Sequence, residues 1–570
     1  MATRRWVLIG LLAVLLSCGV IDAPLVAWSD HHYNARWVRE ILAPGLVTPD
    51  GHPVFSEQEW EEYVTLYSYY PDWGTDRSRV RPDGLWPYFR ATQASYRFNT
   101  THSNRTSVEY FKLLIESFAA GETRKAALWA GALTHVIGDA AAANHPPLLA
   151  YITYGYGRTL GLRLGSSGEA LAKLEPLIDV SGPSEDELGR TYIQAGLRGY
   201  RPTMLADNPE DAAVSLQLIL QKGFLAALKE DAPIARGLES WRGRQESEGK
   251  DVLMRGMATL IVRCSRDIAD VIYTAKKLSE RGRTFDVDRA LTKAEPAIVR
   301  LRKGVPLSAV SAYDGILKEP GASPAVGVLL GVPPIYWVTD GSVDLQLCYF
   351  LSLISRTLAA QNVPYVTYDI TKLPSTLNPV RTPILIVPSY LEGDGLSKSA
   401  LERLLRDYSD RGGKILFLGG HSRDAIKPLS DWLVVSPDSD GFYPVNGKEL
   451  RGKSLVVATD VAAGPPLPFV RVMDEYSTRT FGAYIFKSAL PASIKPVLLL
   501  DTGDRHLAVS GGYAEGGSFT MVYVPWWVFM PGSFSSSDEL RSLDRPALDA
   551  SGTKILNLLL GLLGRKAGAD

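Results

Sequence analysis

Three side chains that can bind a metal ion lie close together in the sequence, at His135, Asp139 and His145. His135 and Asp139 are one helical turn apart, so they share a face of any helix that contains both. Imidazole nitrogen and carboxylate oxygen are zinc ligands, and a carboxylate among alanines needs a partner before it can be buried. The spacing favours a metal site; the alternative is a polar helix edge with a hydrogen-bonded histidine.

The residues before and after these side chains predict how the chain would position them. The stretch 123–143 is rich in alanine and leucine, a composition typical of a stable helix. Asn144 and the pair Pro146-Pro147 indicate a stop directly after it. His145 is therefore expected where the chain turns out of the helix, close to the end that carries Asp139.

These segments resemble the helix pair that carries the metal ligands in zinc-dependent phospholipase C and S1/P1 nuclease proteins. The resemblance covers 110–118 and 121–139, and the family pattern is close to His-Tyr-x-Gly-Asp-x-x-x-Pro-x-His. Ala143 stands here in place of the proline, and Pro147 to Leu149 stand where phospholipases usually show Ala-Asn. The pattern residues that this chain keeps are His135, Gly138, Asp139 and His145.

Earlier segments resemble the same family. Trp28-Ser-Asp-His-His32 is similar to its mature amino terminus, where the terminal tryptophan binds metal through its α-amino nitrogen and carbonyl oxygen, with a histidine nearby. The matching histidine is His32, with His31 as the alternate. The segment 67–73 is similar to the one that supplies an early aspartate ligand, here Asp72, which could also accept a proton from the attacking water. His102 is the remaining histidine before the helix pair.

The resemblance implies two or three zinc ions. The first site would be formed by Asp72, His102, His135 and Asp139. The second would be formed by Trp28, His32 and a shared Asp139. A third family site needs His145 and a later histidine–acid pair, but the chain has no histidine between His145 and His421. Either Glu169, Glu175 or an unidentified acid completes it, or the protein works with two ions, which suffice for phosphodiester chemistry when about 3.5–4 Å apart.

The amino-terminal residues indicate export. Arg4 and Arg5 followed by the apolar stretch 6–16 are typical of a signal sequence, and the arginine pair resembles a twin-arginine signal. Two cleavage points compete. A lipobox would leave a lipidated Cys18, which would associate with a membrane surface, whereas cleavage after Ala27 would leave Trp28 as the terminus. A start at Cys18 turns the Trp28 nitrogen into an amide, so the two outcomes exclude each other.

Composition restricts the classes of function. The chain has 570 residues, 46% of them hydrophobic and 22% charged, as in ordinary folded proteins. A net charge of −1 excludes a global basic field that would attract nucleic acid or an anionic membrane. Besides Cys18, the cysteines are Cys264 and Cys348, which are expected to be small buried residues rather than a disulfide framework.

Periodicity divides the chain into two folded parts, so the fold class is multidomain. After an export signal at 1–27, a mostly helical, zinc-hydrolase-like domain is predicted for 28–304, and a linker for 305–324. Apolar runs alternate with helices in 325–570, which predicts an α/β domain with a mainly parallel sheet. The segment 383–418 resembles the glutamine-amidotransferase-like fold, here as an accessory domain, because Gly419-Gly-His421-Ser422 provides no nucleophilic cysteine.

Three functional hypotheses follow. The leading one is an exported zinc-dependent phosphodiesterase resembling phospholipase C, acting on a phospholipid or another phosphodiester in the periplasm, outside the cell or at the envelope. The second is a nuclease or 3′-nucleotidase of the S1/P1 type, although no specific nucleic-acid patch is evident. The third is a non-catalytic surface-binding protein whose degenerate metal site only stabilises the fold. The sequence does not determine the oligomeric state.

Overall fold

The computed structural model describes the helical part and the sheet of the chain, with gaps. The described residues are 31–42, 53–68, 104–143, 183–238, 240–241, 246–282, 284–321, 323–332, 342–373, 377–388, 398–419, 442–445, 454–458, 471–472, 483–486, 494–501, 506–515, 518–529, 547–548 and 550–564.

The amino-terminal half is helical throughout the described residues, as its periodicity predicts. Its main helices are α1 (His31–Leu42), α2 (Glu57–Glu59), a π-helix (Trp60–Val64), α3 (Thr65–Tyr67), α4 (Asn104–Ala119), α5 (Thr123–Ala140), α6 (Glu187–Leu197), α7 (Pro209–Leu238), α8 (Ser247–Ser279) and α9 (Val287–Lys303). The sequence pattern predicts helices at 124–142, 211–228 and 252–277. The first and the last agree with α5 and α8 within five residues, whereas the second is much shorter than α7. The extra turns of α7 pass through Pro233.

Helix α5 lies at the centre of this bundle. Fifteen of its residues are buried, and it packs against α1, α3, α4, the π-helix, α7 and α8. Alanines at many of the contact positions let neighbouring helices approach closely, while Trp129 stacks on Tyr110 of α4 with ring centroids 5.3 Å apart. A helix surrounded on every side must bury whatever polar side chains it carries, and those of α5 include His135 and Asp139.

A buried carboxylate elsewhere in the bundle makes stability depend on pH. Glu109 of α4 is 1% exposed, its Oε1 pairs with Arg105 Nε at 2.8 Å, and its Oε2 has no hydrogen-bond partner within the described part of the chain. Burial raises its pKa to about 7, against the opposing effect of Arg105. The folded state therefore binds more protons than the unfolded state between about pH 4.5 and 7, so stability falls as pH rises through this window.

We expect Glu109→Gln to remove this pH dependence. The variant should match the wild type near pH 4.5 and exceed it above pH 7, by at most about 3 kcal/mol for a shift of this size. Urea unfolding at both pH values measures the difference. Glu116→Gln, at an exposed position of the same helix, is the control and should leave the slope unchanged. Parallel pH profiles of the wild type and Glu109→Gln would contradict the assignment.

The segment expected to be a linker contacts both halves. It contains two short 3-10 helices, Leu307–Ala309 and Ser311–Tyr313, and buries Val310 and Tyr313 completely. Ser311 Oγ donates to Asp231 of α7 at 2.9 Å, while the Tyr313 hydroxyl donates to the Gly331 carbonyl at 2.8 Å. These contacts hold residues 311–313 against both parts; the domain boundaries themselves stay a prediction.

The carboxy-terminal half contains a nine-stranded mixed sheet in the described residues. Its strand order is β2-β1-β3-β4-β11-β10-β9-β6-β7, and a separate pair joins β5 to β8. The strands are β1 (Val326–Leu330), β2 (Tyr365–Asp369), β3 (Ile384–Pro388), β4 (Lys414–Gly419), β5 (Phe442–Val445), β6 (Ser454–Val457), β7 (Arg471–Val472), β8 (Ala483–Phe486), β9 (Ile494–Asp501), β10 (His506–Glu515) and β11 (Ser518–Pro525).

The first five strands of that order run parallel, which confirms a sheet with mostly parallel strands. Helices α10 (Ser342–Ala360), α11 (Lys398–Asp410) and α12 (Ala550–Leu562) pack on it. Every residue of β1 and β3 is buried, as expected for strands covered on both faces. The remaining strands join antiparallel. The apolar runs of the sequence predict strands at 326–330, 365–368, 384–387, 414–418, 455–458, 497–500 and 519–524, so β5, β7, β8 and β10 have no predicted counterpart.

Candidate metal centre

His135 and Asp139 face each other in the last turns of α5. His135 is fully buried and Asp139 is 5% exposed. His135 Nε2 lies 3.2 Å from Asp139 Oδ2, as the spacing of one helical turn requires. Both side chains are therefore held together in a region from which water is largely excluded.

A backbone carbonyl fixes the orientation of the imidazole. His135 Nδ1 lies 2.6 Å from the carbonyl oxygen of Ser68, the residue that follows α3. Carbonyl groups at a helix end lack intrahelical partners and are free to accept such a bond. Because a carbonyl oxygen only accepts, Nδ1 carries the hydrogen of this bond, which leaves Nε2 as the ring atom that faces Asp139. Metal-binding histidines are commonly held in this way by their second nitrogen.

The two facing atoms are of types that can share a proton or hold a metal ion. An ionised carboxylate and an imidazole lone pair both accept hydrogen bonds, so two such atoms 3.2 Å apart in a buried place need a proton or a metal ion between them. Two ligands of a tetrahedral zinc ion with bonds of about 2.0–2.2 Å are about 3.3 Å apart. The separation of His135 Nε2 and Asp139 Oδ2 therefore fits two corners of a zinc coordination shell without rearrangement.

Gly131 makes the bond to Ser68 possible. It lies one turn before His135 on the same face of α5, where a Cβ atom would be 2.5 Å from the Val64 carbonyl oxygen and 2.9 Å from Tyr67 Cβ. No side chain fits in that space, so the π-helix and α3 approach α5 along the glycine. This close approach brings the Ser68 carbonyl to the imidazole.

Helix α1 begins with the predicted ligand His32 and its alternate His31, and it packs against α3, α5 and α8. The placement of these two imidazoles lies outside the described side chains. Asn34, two residues later, is fully buried, and neither its amide nitrogen nor its amide oxygen has a hydrogen-bond partner in the described part of the chain. Buried amides are normally satisfied, so Asn34 is a group that water or a bound ligand would complete.

The other predicted ligands lie outside the described residues. They are Trp28, Asp72, His102 and His145, together with Glu169 and Glu175 for the third site. Helix α4 starts at Asn104, two residues after His102, and packs on α5. Among the described residues no group of three histidine, cysteine or acidic side chains is close enough to hold an ion, so the structure brings together His135 and Asp139 alone from the predicted set.

Cys264 belongs to α8, which packs against α5. Its side chain is fully buried, and burial raises the pKa of the thiol well above its usual value, with the negative charges of Asp267 and Asp139 acting in the same direction. The thiol is therefore neutral at physiological pH, in agreement with its expected role as a small buried residue.

The comparisons with known proteins agree with the family resemblance over part of the chain. Residues 31–168 match the family described as zinc dependent phospholipase C. Besides the pair on α5, the match includes four predicted ligands, His32, Asp72, His102 and His145, but not Trp28. It ends before α6, so about half of the helical part and the whole sheet lie outside it. No curated protein and no solved structure matches the chain.

Ser68 and Gly131 position the pair, and sequence reasoning missed both of them. Ser68 acts through its backbone carbonyl, which no side-chain pattern reveals. Gly131 did leave a signal, since a glycine inside a helix otherwise rich in alanine is unfavourable by about 1 kcal/mol and calls for a packing reason. That reason was not visible without the partner helix.

Proposed function

We propose that the chain is an exported, zinc-dependent phosphodiester hydrolase of the phospholipase C type. The observation that carries the proposal is the buried His135–Asp139 pair, in which the Ser68 carbonyl orients the imidazole so that its Nε2 faces the carboxylate. This donor pair lies inside the segment that matches the zinc dependent phospholipase C family.

The roles of the residues follow from their chemistry. His135 and Asp139 would hold the first zinc ion with Asp72 and His102, and Asp139 would also serve a second ion held by Trp28 and His32. His145 would belong to a third site. Bound zinc supplies a Lewis acid for the phosphoryl oxygen and lowers the pKa of a coordinated water. Asp72 would accept the proton of the attacking water, and Ser68 would keep His135 in one tautomer throughout.

The substrate would be a phospholipid or a related phosphodiester. A net charge of −1 gives the chain no general attraction for a polyanion, which favours a lipid headgroup over nucleic acid. The sheet half would act as an accessory domain. Its parallel order β2-β1-β3-β4 is that of a doubly wound α/β sheet, and the likeness to the amidotransferase fold stays a prediction from the sequence.

The test is an assay of the zinc-loaded full chain on phosphatidylcholine, single-stranded DNA and a generic phosphodiester. Hydrolysis of phosphatidylcholine is the expected result. Hydrolysis of DNA alone would replace the proposal with the S1/P1-type alternative. Bound zinc without hydrolysis of any substrate would favour the non-catalytic binding protein.

The mature amino terminus provides a separate prediction. If Trp28 supplies a ligand through its α-amino nitrogen, the exported protein should start at Trp28. Mass spectrometry of the protein recovered from the envelope and the medium of an expressing bacterium measures this directly. A lipidated Cys18 start would instead anchor the protein and remove Trp28 nitrogen from the second site, leaving the first site intact. Cys18→Ala is the control and should leave a Trp28 start unchanged.

A further inference from the structure

We propose that the groove between α6 and α8 binds a phosphate-bearing anion. The groove has a volume of about 690 Å³, which is within the range of sites for small organic ligands. Both helices lie beyond the segment that matches the phospholipase family, and the inference does not depend on the metal centre. We call this site the arginine groove; the lining residues that matter here are Tyr192, Tyr200, Arg255, Arg263, Arg266 and Asp267.

Aromatic rings hold two of the guanidinium groups in place. Arg255 Cζ lies 5.0 Å from the centre of the Tyr192 ring, and Arg266 Cζ lies 4.8 Å from the centre of the Tyr200 ring. Arginine stacked on an aromatic face loses less conformational freedom when it binds a ligand, and its planar fork matches two oxygens of a phosphate. The rings therefore orient the arginines before a ligand arrives.

The guanidinium donors are only partly used. A guanidinium has five N–H donors. Arg266 donates to the Gly196 carbonyl, and Arg263 Nε lies 3.6 Å from Asp267 Oδ2, beyond hydrogen-bond distance. Arg255 is the one already satisfied by a carboxylate, with Asp251 Oδ2 at 2.9 Å. Arg263 and Arg266 consequently provide the donors that an anion would take.

The charge of the lining residues also favours an anion. Three arginines and one aspartate line the groove. With Arg255 paired to Asp251, the remaining lining residues carry an excess of one positive charge in a protein whose net charge is −1. Charge-assisted bonds from arginine to phosphate are about twice as strong as neutral hydrogen bonds. Because the volume exceeds that of a bare phosphate ion, the structure favours a phosphate ester, either a soluble one or the headgroup of a lipid.

Asp267 would tune the affinity. Burial raises its pKa to about 6, against the effects of positive charges on the same helix and on α7. Below that pH the carboxyl is neutral and the groove gains positive charge. The charged groups that act on Asp267 are Arg263, Arg266 and Asp270 of α8 and Lys222 of α7, and the Tyr200 hydroxyl, bonded to Asp270, lies beside them.

The test is titration calorimetry of the full chain with glycerol 3-phosphate. Replacing Arg263 or Arg266 with glutamine should weaken binding about tenfold each, since a charge-assisted bond contributes more than 1.4 kcal/mol. Arg190→Gln is the matched control, because Arg190 is exposed on α6, carries the same charge and does not line the groove. Equal losses in Arg190→Gln and Arg266→Gln would overturn the proposal, as would unchanged binding in both groove variants.

A gain-of-affinity variant separates binding from folding defects. Asp267→Asn removes the one carboxylate of the lining, so it should bind glycerol 3-phosphate several-fold more tightly than the wild type at pH 7.5 and equally at pH 5. Comparing the two proteins at each pH cancels the titration of the ligand. A loss of affinity at pH 7.5 would contradict the site.

The source of the ligand is decided by a second probe. Sedimentation with phosphatidylcholine vesicles, with and without phosphatidylglycerol, tests a lipid surface. Binding to anionic vesicles that Arg266→Gln abolishes supports a headgroup, and binding to glycerol 3-phosphate alone supports a soluble ester. Absence of binding to either probe overturns the proposal.

Discussion

Replacing Asp139 with asparagine should remove zinc from the protein while leaving it folded. The asparagine amide can donate a hydrogen bond to His135 Nε2, which satisfies the lone pair without a cation. The wild type should lose thermal stability when a chelator removes its zinc, because binding to the folded state alone stabilises it. The variant should melt at the same temperature with and without chelator. Metal analysis and calorimetric melting measure both effects.

Hydrolysis by Asp139→Asn should fall at least about 100-fold, since loss even of a group that only supports a metal ligand lowers activity by about 10–100-fold. Asp231→Asn is the matched control, because Asp231 is a fully buried aspartate of α7 that bonds Ser311. The Asp231→Asn variant should be less stable than the wild type and should have the same zinc content. If Asp139→Asn retained the zinc content of the wild type, the pair would be a hydrogen-bonded ion pair and not a ligand set.

Replacing Gly131 with alanine should destabilise the protein and disturb the metal centre together. The new Cβ would lie 2.5 Å from the Val64 carbonyl oxygen, so α5 and the π-helix must separate. Ser68 would then move away from His135 Nδ1, leaving a buried N–H without its acceptor. Overpacking and the lost bond together should lower the free energy of unfolding by about 2–4 kcal/mol. Urea unfolding measures the loss.

Gly561→Ala provides the comparison for this substitution. Gly561 is also inside a helix, α12, but a Cβ there meets nothing within 4 Å. Alanine should therefore stabilise the protein by about 0.5–1 kcal/mol, as expected in an open helical position. The two substitutions should also differ in their effect on zinc affinity. Gly131→Ala should weaken zinc binding, and Gly561→Ala should leave it unchanged. Equal zinc affinity in both variants would mean that the Ser68 bond does not position the imidazole.

Several elements of the fold were predictable because their signals are local. The alanine-rich composition of 123–143 and the apolar runs at β1, β3 and β4 identify a buried helix and buried strands directly. The length of α7 was not predictable in this way. Pro233 suggests that the helix stops, but packing against α8 and α9 continues it. Among the antiparallel strands, β6 and β9 also coincide with predicted apolar runs. The strand β10, which pairs with β9 and β11 through short connections, was not predicted, because two glycines interrupt its apolar pattern.

Some features of the candidate site also follow from the local sequence, whereas others depend on tertiary packing. The spacing of His135 and Asp139 follows from helical geometry, so the sequence alone determined that the two side chains share a face. The tautomer of His135 depends on a carbonyl 67 residues away. That contact exists because Gly131 lets two helices approach, and only the packed tertiary structure brings such remote backbone atoms together. The arginine groove likewise forms only where α6 meets α8, since its stacked rings and guanidinium groups belong to different segments.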